Sequence, residues 1–198
     1  TVIATATGAL EAAIGVVTNV ITTDHSTGVI VTGTSTDKSS LTGTSVSVDA
    51  DAKEGISSLL IAASGAQYAA VSASANVNRQ LSDVSAAVDQ AEVLGSFAQN
   101  ANYLGKITTS AITAAGSQYA AVPISVVINY ADNAVSSSLV HSILRAEGQV
   151  ASVGANRISE FSSLNVTASG AMYGAAAGLV NVNTIEGATS AEVNDSEV

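Results

Sequence analysis

Few side chains in this chain have types and spacings that could do chemistry. Asp24-His25-Ser26 holds the three residue types of a hydrolytic triad. Adjacent residues of an extended chain point apart, however, and a triad is defined by geometry and not by order, so the run reads as a polar turn. Asp49 and Asp51 fall on one face of a strand with Glu54 close behind, a set of hard oxygens able to take calcium. No glycine- and aspartate-rich nonapeptide accompanies them and Lys53 intervenes, which favours a solvated acidic turn. His141, between Val140 and Ser142, is the second of two histidines, and a lone imidazole is a poor metal site. None of the 16 acids is placed by sequence for a paired-carboxylate attack on a glycosidic bond. With no cysteine, disulfides and thiolate metal or redox sites are excluded. The expectation is a protein without catalytic residues, metal or cofactor, and not an enzyme.

The recurring large side chains are tyrosines. Tyr68, Tyr119 and Tyr173 each stand three positions after a glycine, where the first copy has Glu11. They form either an aromatic stripe for a sugar or partner, or corner rings that pack on their neighbours with wet hydroxyls. The second reading is the plainer. Ala13, Ala70, Ala121 and Ala175 share one offset that alternation places outward. The candidate interaction face is therefore Tyr68, Tyr119, Tyr173, Ala70, Ala121 and Ala175, covered by another chain, a bend of this chain or a lateral partner.

These residues recur because the chain repeats. GALEAAIGVVTNVI from Gly8, GAQYAAVSASANVN from Gly65, GSQYAAVPISVVIN from Gly116 and GAMYGAAAGLVNVN from Gly170 align at spacings of 57, 51 and 54. Nonpolar residues fill the even offsets, Thr18 excepted, while Ser72, Ser74, Ser125, Asn19, Asn76, Asn78, Asn129, Asn181 and Asn183 occupy odd ones. A two-residue period is that of a half-buried strand. The expected inner wall is the nonpolar set, with the asparagines outside and able to form ladders. Thr22–Ser26, Arg79-Gln80, Asp132-Asn133 and Glu186-Gly187 read as turns before a second strand carrying Val31, Val88, Leu139 and Val193.

Such strands bury a face by stacking on their equivalents, so the expected fold is an all-β parallel solenoid. Each unit of about 54 residues is read as about three coils of roughly 18 to 20 residues. The units are expected at approximately 1–57, 58–108, 109–162 and 163–198, in one continuous segment expected to belong to a longer chain. Two stretches, Asp83–Phe97 and Ala134–Val150, also fit helical spacing, but weak helix formers in the aligned copies argue for strand. Pro123, at an offset expected to face outward, predicts a bulge or an edge. Six bases against 16 acids leave a net charge of −10, the wrong sign for nucleic acid. The apolar runs are too short for a transmembrane helix, so no membrane-spanning segment is expected.

The units GAQYAAVSASANVN with SDVSAAV, GSQYAAVPISVVIN with NAVSSSLV and GAMYGAAAGLVNVN with ATSAEV resemble the repeats of large secreted filamentous adhesins and leukotoxin-type filamentous exoproteins of Gram-negative anaerobes such as fusobacteria. The resemblance implies a right-handed parallel β-helix shaft, secreted to the bacterial cell surface and presenting adhesive or toxic elements. It implies a host-cell receptor or matrix as partner, beside flanking coils of the same chain, and carries no catalytic residues over. Two alternatives use the same scaffold. A polysaccharide lyase would need a basic groove that six scattered bases do not make. An ice-binding solenoid is prompted by Thr5, Thr7, Thr32, Thr34, Thr42 and Thr44, which are confined mainly to the first quarter.

Overall fold

The structure is a computed structural model describing residues 1–146 and 150–198. Strand makes up 86% of it, and the described residues contain no helix. The chain alternates between two parallel sheets. The first contains β1 (Val2–Ala9), β3 (Ser39–Ala66), β5 (Ala91–Ser117), β7 (Ile143–Arg145) and β8 (Ala151–Gly170). The second contains β2 (Ala12–Thr32), β4 (Ala69–Asp89), β6 (Ala120–Val140), β9 (Gly174–Ala175), β10 (Gly178–Glu186) and β11 (Thr189–Asn194).

Two corners join the sheets. At the first, Gly8, Gly65, Gly116 and Gly170 stand in one row, and a short turn carries the chain from the first sheet to the second. The turns stack as well: Tyr68 N–H donates to Glu11 O at 3.1 Å and Ala120 N–H to Tyr68 O at 3.0 Å. At the second corner, Gln90, His141 and Asp195 take left-handed φ values of 52°, 48° and 44°, one such residue after β4, β6 and β11.

Register corrects the expected coil. Ile14 pairs with Val71, Val71 with Val122, and Val126 with Val180, offsets of 57, 51 and 54 residues. The first sheet runs likewise, with Val2 on Leu59, Leu59 on Ser110 and Ser110 on Leu164. Three coils per unit would pair residues some 18 apart. Each circuit instead runs once through each sheet, as a single long strand in β2, β4 and β6 and as the three pieces β9, β10 and β11 on the last, and advances the stack by one strand spacing, about 4.8 Å. The reason is that the polar runs do not turn. Thr22–Ser26, Arg79-Gln80 and Asp132-Asn133 lie inside β2, β4 and β6, held by ladders unbroken on both sides of β4. Only Glu186-Gly187 ends a strand, where Gly187 with φ 117° separates β10 from β11. The two stretches with helical spacing are strand and corner as far as they are described; residues 147–149 of the second lie outside the described residues.

The same continuity corrects which face is buried. Along β4, Ala70, Ser72, Ser74, Asn76, Asn78, Gln80, Ser82, Val84, Ala86 and Val88 are all buried, at alternate positions without a slip. A strand of 21 residues without a bulge has a single parity, so Val88 inside puts Asn76 inside. The opposite choice would bury Arg79, Asp83 and Asp89, and an unpaired buried charge costs far more than the roughly 1.5–3 kcal/mol lost for each aliphatic side chain left in water. The nonpolar even offsets therefore face out: Ile14, Val16 and Val20 are 69%, 58% and 70% exposed. Pro123 is turned inward and buried. The ladder to β4 passes through Ser72–Pro123 without a bulge, and pairing is interrupted on the other side, between β9 and β10 opposite Val122 and Pro123.

The largest apolar cluster lies towards the second corner, where Val48, Val88, Ala91, Val93, Phe97, Leu139 and Leu144 from both sheets meet. Smaller ones, Val17, Leu60 and Ala62, and Ala70, Ala115 and Ala121, lie towards the glycine corner. Next to the largest cluster the β3–β5 register slips between Thr42 and Ser45. Gly95 sits opposite with φ 116°, and a Cβ there would lie 1.8 Å from Gly43 O, so only glycine fits this bulge. Truncating the largest member of the cluster, Phe97→Ala, should cost about 3–5 kcal/mol in urea unfolding, whereas the outward-facing Val16→Ser should stay within about 0.5 kcal/mol.

Candidate functional site

The half of the molecule next to the glycine corner has an interior made largely of small polar groups. Asn19 Nδ2 donates to Asn76 Oδ1 at 3.0 Å, Asn78 Nδ2 to Asn129 Oδ1 at 2.8 Å, and Asn129 Nδ2 to Asn183 Oδ1 at 2.8 Å. Adjacent circuits thus share two asparagine ladders. The sheets are also cross-linked: Asn76 Nδ2 reaches Ser58 Oγ at 2.7 Å, Asn78 Nδ2 reaches Thr109 Oγ1 at 2.9 Å, Thr109 Oγ1 donates to Asn129 Oδ1 at 2.9 Å, and Ser74 and Thr113 hydroxyls meet at 2.6 Å. Asn76, Asn78 and Asn129 each bond to a neighbouring circuit and to the sheet opposite, which satisfies them away from water.

Beyond this seam the interior changes character at a buried group. Ser82 Oγ donates to Glu54 Oε2 at 2.6 Å. The ring of Tyr103 folds back over Gly105, where a Cβ would meet Tyr103 Oη at 2.4 Å and Gln80 Oε1 at 2.8 Å. Burial raises the Tyr103 pKa to about 12, opposed by the nearby Ser82 hydroxyl and assisted by the negative charge of Glu54.

The tyrosines of the candidate interaction face form a ladder. Tyr68 and Tyr119 stack at 5.2 Å between centroids and 12° between planes, and Tyr119 and Tyr173 at 5.1 Å and 14°. Their faces are spent on one another, which leaves edges and hydroxyls to solvent and no row of free faces for sugars. The alanines of that face are corrected. Ala70 and Ala121 are fully buried with Ala115, since they share the parity of Val88 and Leu139; Ala175 is exposed on the last circuit.

The other sequence candidates are placed as follows. Asp24-His25-Ser26 lies within β2, with His25 opposite Ser82 on the inner side and Asp24 and Ser26 on the outer, so no triad assembles. A cleft beside the first circuit brings Asp24 and His25 near Asp51, Lys53 and Glu54. Asp49 and Asp51 are on a strand and not in a turn, and their oxygens accept from Asn100 at 2.8 Å and Asn102 at 2.7 Å on the next circuit. Hydrogen bonds from Ser47 and Asn100 hold the Asp49 carboxyl below its usual range. His141 is exposed between Asp89, 3.2 Å from Nδ1, and Asp195, 3.7 Å from Nε2. Among the described residues no group of three His, Cys, Asp or Glu could hold a metal, and no helix is long and apolar enough to cross a membrane. Thr5 and Thr7 lie on the half-buried, inward side of β1, so the threonines make no continuous outer face. The one signal that would have located the polar seam is parity extended through Arg79-Gln80 to Val88.

No protein-family model, curated protein or solved structure matches the chain.

Asn78→Ala orphans partners on two sheets and should lower stability by about 1–3 kcal/mol, measured by denaturant unfolding. Tyr103 ionises more readily unfolded, near pH 10, than folded, near 12. Its stabilising contribution is complete below pH 10 and is lost as pH rises through 12. Absorbance titration of wild type against Tyr103→Phe should show one tyrosinate missing until that range.

Proposed function

We propose that the chain is a structural and interaction segment: a right-handed parallel β-solenoid serving as the shaft of a secreted or cell-surface filamentous adhesin or leukotoxin-like protein, without enzymatic activity. The observation that carries this reading is the stacking of whole repeat units in register, each locked to the next by backbone and asparagine ladders, and the last three also by the tyrosine stack. A right-handed course follows from the strong preference of parallel crossovers for that hand. A shaft needs nearest-neighbour contacts that repeat along one axis, so that units can be added without changing the fold. The resemblance to filamentous exoproteins supplies the cellular setting and a host-cell receptor or matrix as the target of the elements the shaft presents.

Single-molecule pulling tests the mechanical role. The chain should resist force and release length in steps of about one unit, roughly 180–190 Å for 54 residues. Unravelling without a measurable force plateau, or turnover of polygalacturonate with calcium, would overturn the reading.

A further inference from the structure

The tyrosines at the glycine corner are held in place by the backbone that carries them. Ala120 N–H donates to Tyr68 O, Gln118 N–H to Gln67 O and Met172 N–H to Gln118 O, each at 3.0 Å. Every ring-bearing turn is thereby fixed on the turn of the circuit before it. The rings lie 5.1–5.2 Å apart and within 14° of parallel, yet Tyr68, Tyr119 and Tyr173 remain 50%, 43% and 73% exposed. They combine contact with one another and access from solvent. The other two tyrosines have neither such neighbours nor, for one of them, such access. Tyr103 is buried, between Ala52 and Arg157 in its ladder, and Tyr130 stands between Arg79 and Thr184.

Stacking needs only the ring. The hydroxyl adds a hydrogen atom that a one-electron oxidant can remove. We propose that the ladder is an oxidative cross-linking site, at which Tyr119 becomes bonded carbon to carbon to Tyr68 or Tyr173 as dityrosine, the co-reactant being hydrogen peroxide used by a haem peroxidase. Each of two neighbouring phenols gives one electron and one proton to the oxidant. The two phenoxyl radicals join through ring carbons ortho to oxygen, and the hydrogens on those carbons pass to the oxygens by way of solvent, which restores both phenols. One peroxide is reduced to two waters for each carbon–carbon bond formed. Separate phenoxyl radicals must wait for an encounter, whereas here the partner ring is already in contact, the condition under which an intramolecular step gains most. The chain has no cysteine, whose thiol would return a hydrogen atom to a phenoxyl radical and end the reaction. Met172, beside Tyr173 and 73% exposed, takes oxygen from peroxide to give a sulfoxide. That product gains an oxygen, while dityrosine loses two hydrogens, so mass separates them. The bonds would tie together turns on successive circuits, 51 and 54 residues apart in the chain. This proposal stands on the corner geometry and does not depend on the shaft reading.

The test treats the whole chain, at high dilution, with hydrogen peroxide and a haem peroxidase. With no tryptophan present, blue emission reports dityrosine directly, and it should appear in protein that still runs as a monomer on a denaturing gel. Trypsin places Tyr68, Tyr119 and Tyr173 in the separate peptides 54–79, 107–145 and 158–198. The expected products are 54–79 joined to 107–145 and 107–145 joined to 158–198, with fragment ions placing the bond at Tyr119 and not at Tyr130. Tyr119→Phe keeps a ring in the stack, and therefore the β signal in circular dichroism, but should lower dityrosine in the monomer by about tenfold or more, because the ring between Tyr68 and Tyr173 no longer couples. Tyr130→Phe should leave the yield within about twofold, and unfolding in guanidinium before oxidation should remove the advantage of contact and lower it as far as Tyr119→Phe does. Dityrosine confined to dimers and larger species, a monomer yield unchanged by Tyr119→Phe, or no dityrosine under conditions that couple free tyrosine would each overturn the proposal. Pulling on the untreated chain involves no oxidant, so failure here leaves the shaft reading standing.

Discussion

Everything in this molecule depends on strand parity carried without interruption over more than twenty residues. A side chain in a strand has two choices of face, and once one residue is committed every other residue of that strand is committed with it. In β4 the commitment is made by Arg79, Asp83 and Asp89, which must meet water, and by Val84, Ala86 and Val88, which are best out of it. Asn76 and Asn78, up to twelve residues before Val88, have no separate choice. They are carried into the interior and made tolerable there by partners on the neighbouring circuit and the opposite sheet.

That constraint explains why the polar residues are what and where they are. Buried amides cost little only if every donor and acceptor is met, and in a stack the reliable partner is the same residue one circuit away. Asn78, Asn129 and Asn183 fulfil this by repetition. Where the repeat fails, the ladder fails too: Val127 stands between Asn76 and Asn181, and Asn181 bonds to Ser163 on the other sheet instead. The tyrosine corner obeys the same rule with rings in place of amides, and Glu11 in the first copy marks where the stack of rings ends.

Much of the architecture was legible. The glycine spacings are the pairing offsets, the two-residue period is that of the strands, and adjacent members of Asp24-His25-Ser26 do point to opposite sides. What was not legible followed from one local inference. Polar runs such as Arg79-Gln80 have turn composition, and a turn there resets parity, which lets the apolar offsets face inward and shortens the coil to about a third of the unit. Composition carries no information about whether a neighbouring strand is present to pair such a run, and here one is. The alanines of the candidate face were misplaced for that reason, while the tyrosines, fixed by their distance from the corner glycine, were placed correctly beside it.

The central claim is that residues one whole unit apart are nearest neighbours. Spin labels at Ala75→Cys and Val126→Cys, paired across β4 and β6 and both facing outward, read this directly by continuous-wave electron paramagnetic resonance. Strong dipolar broadening is predicted for that pair and none for Ala75→Cys with Leu94→Cys, 19 residues on and also outward. Broadening of the second pair and not the first would mean a coil of one third the length and would contradict the account.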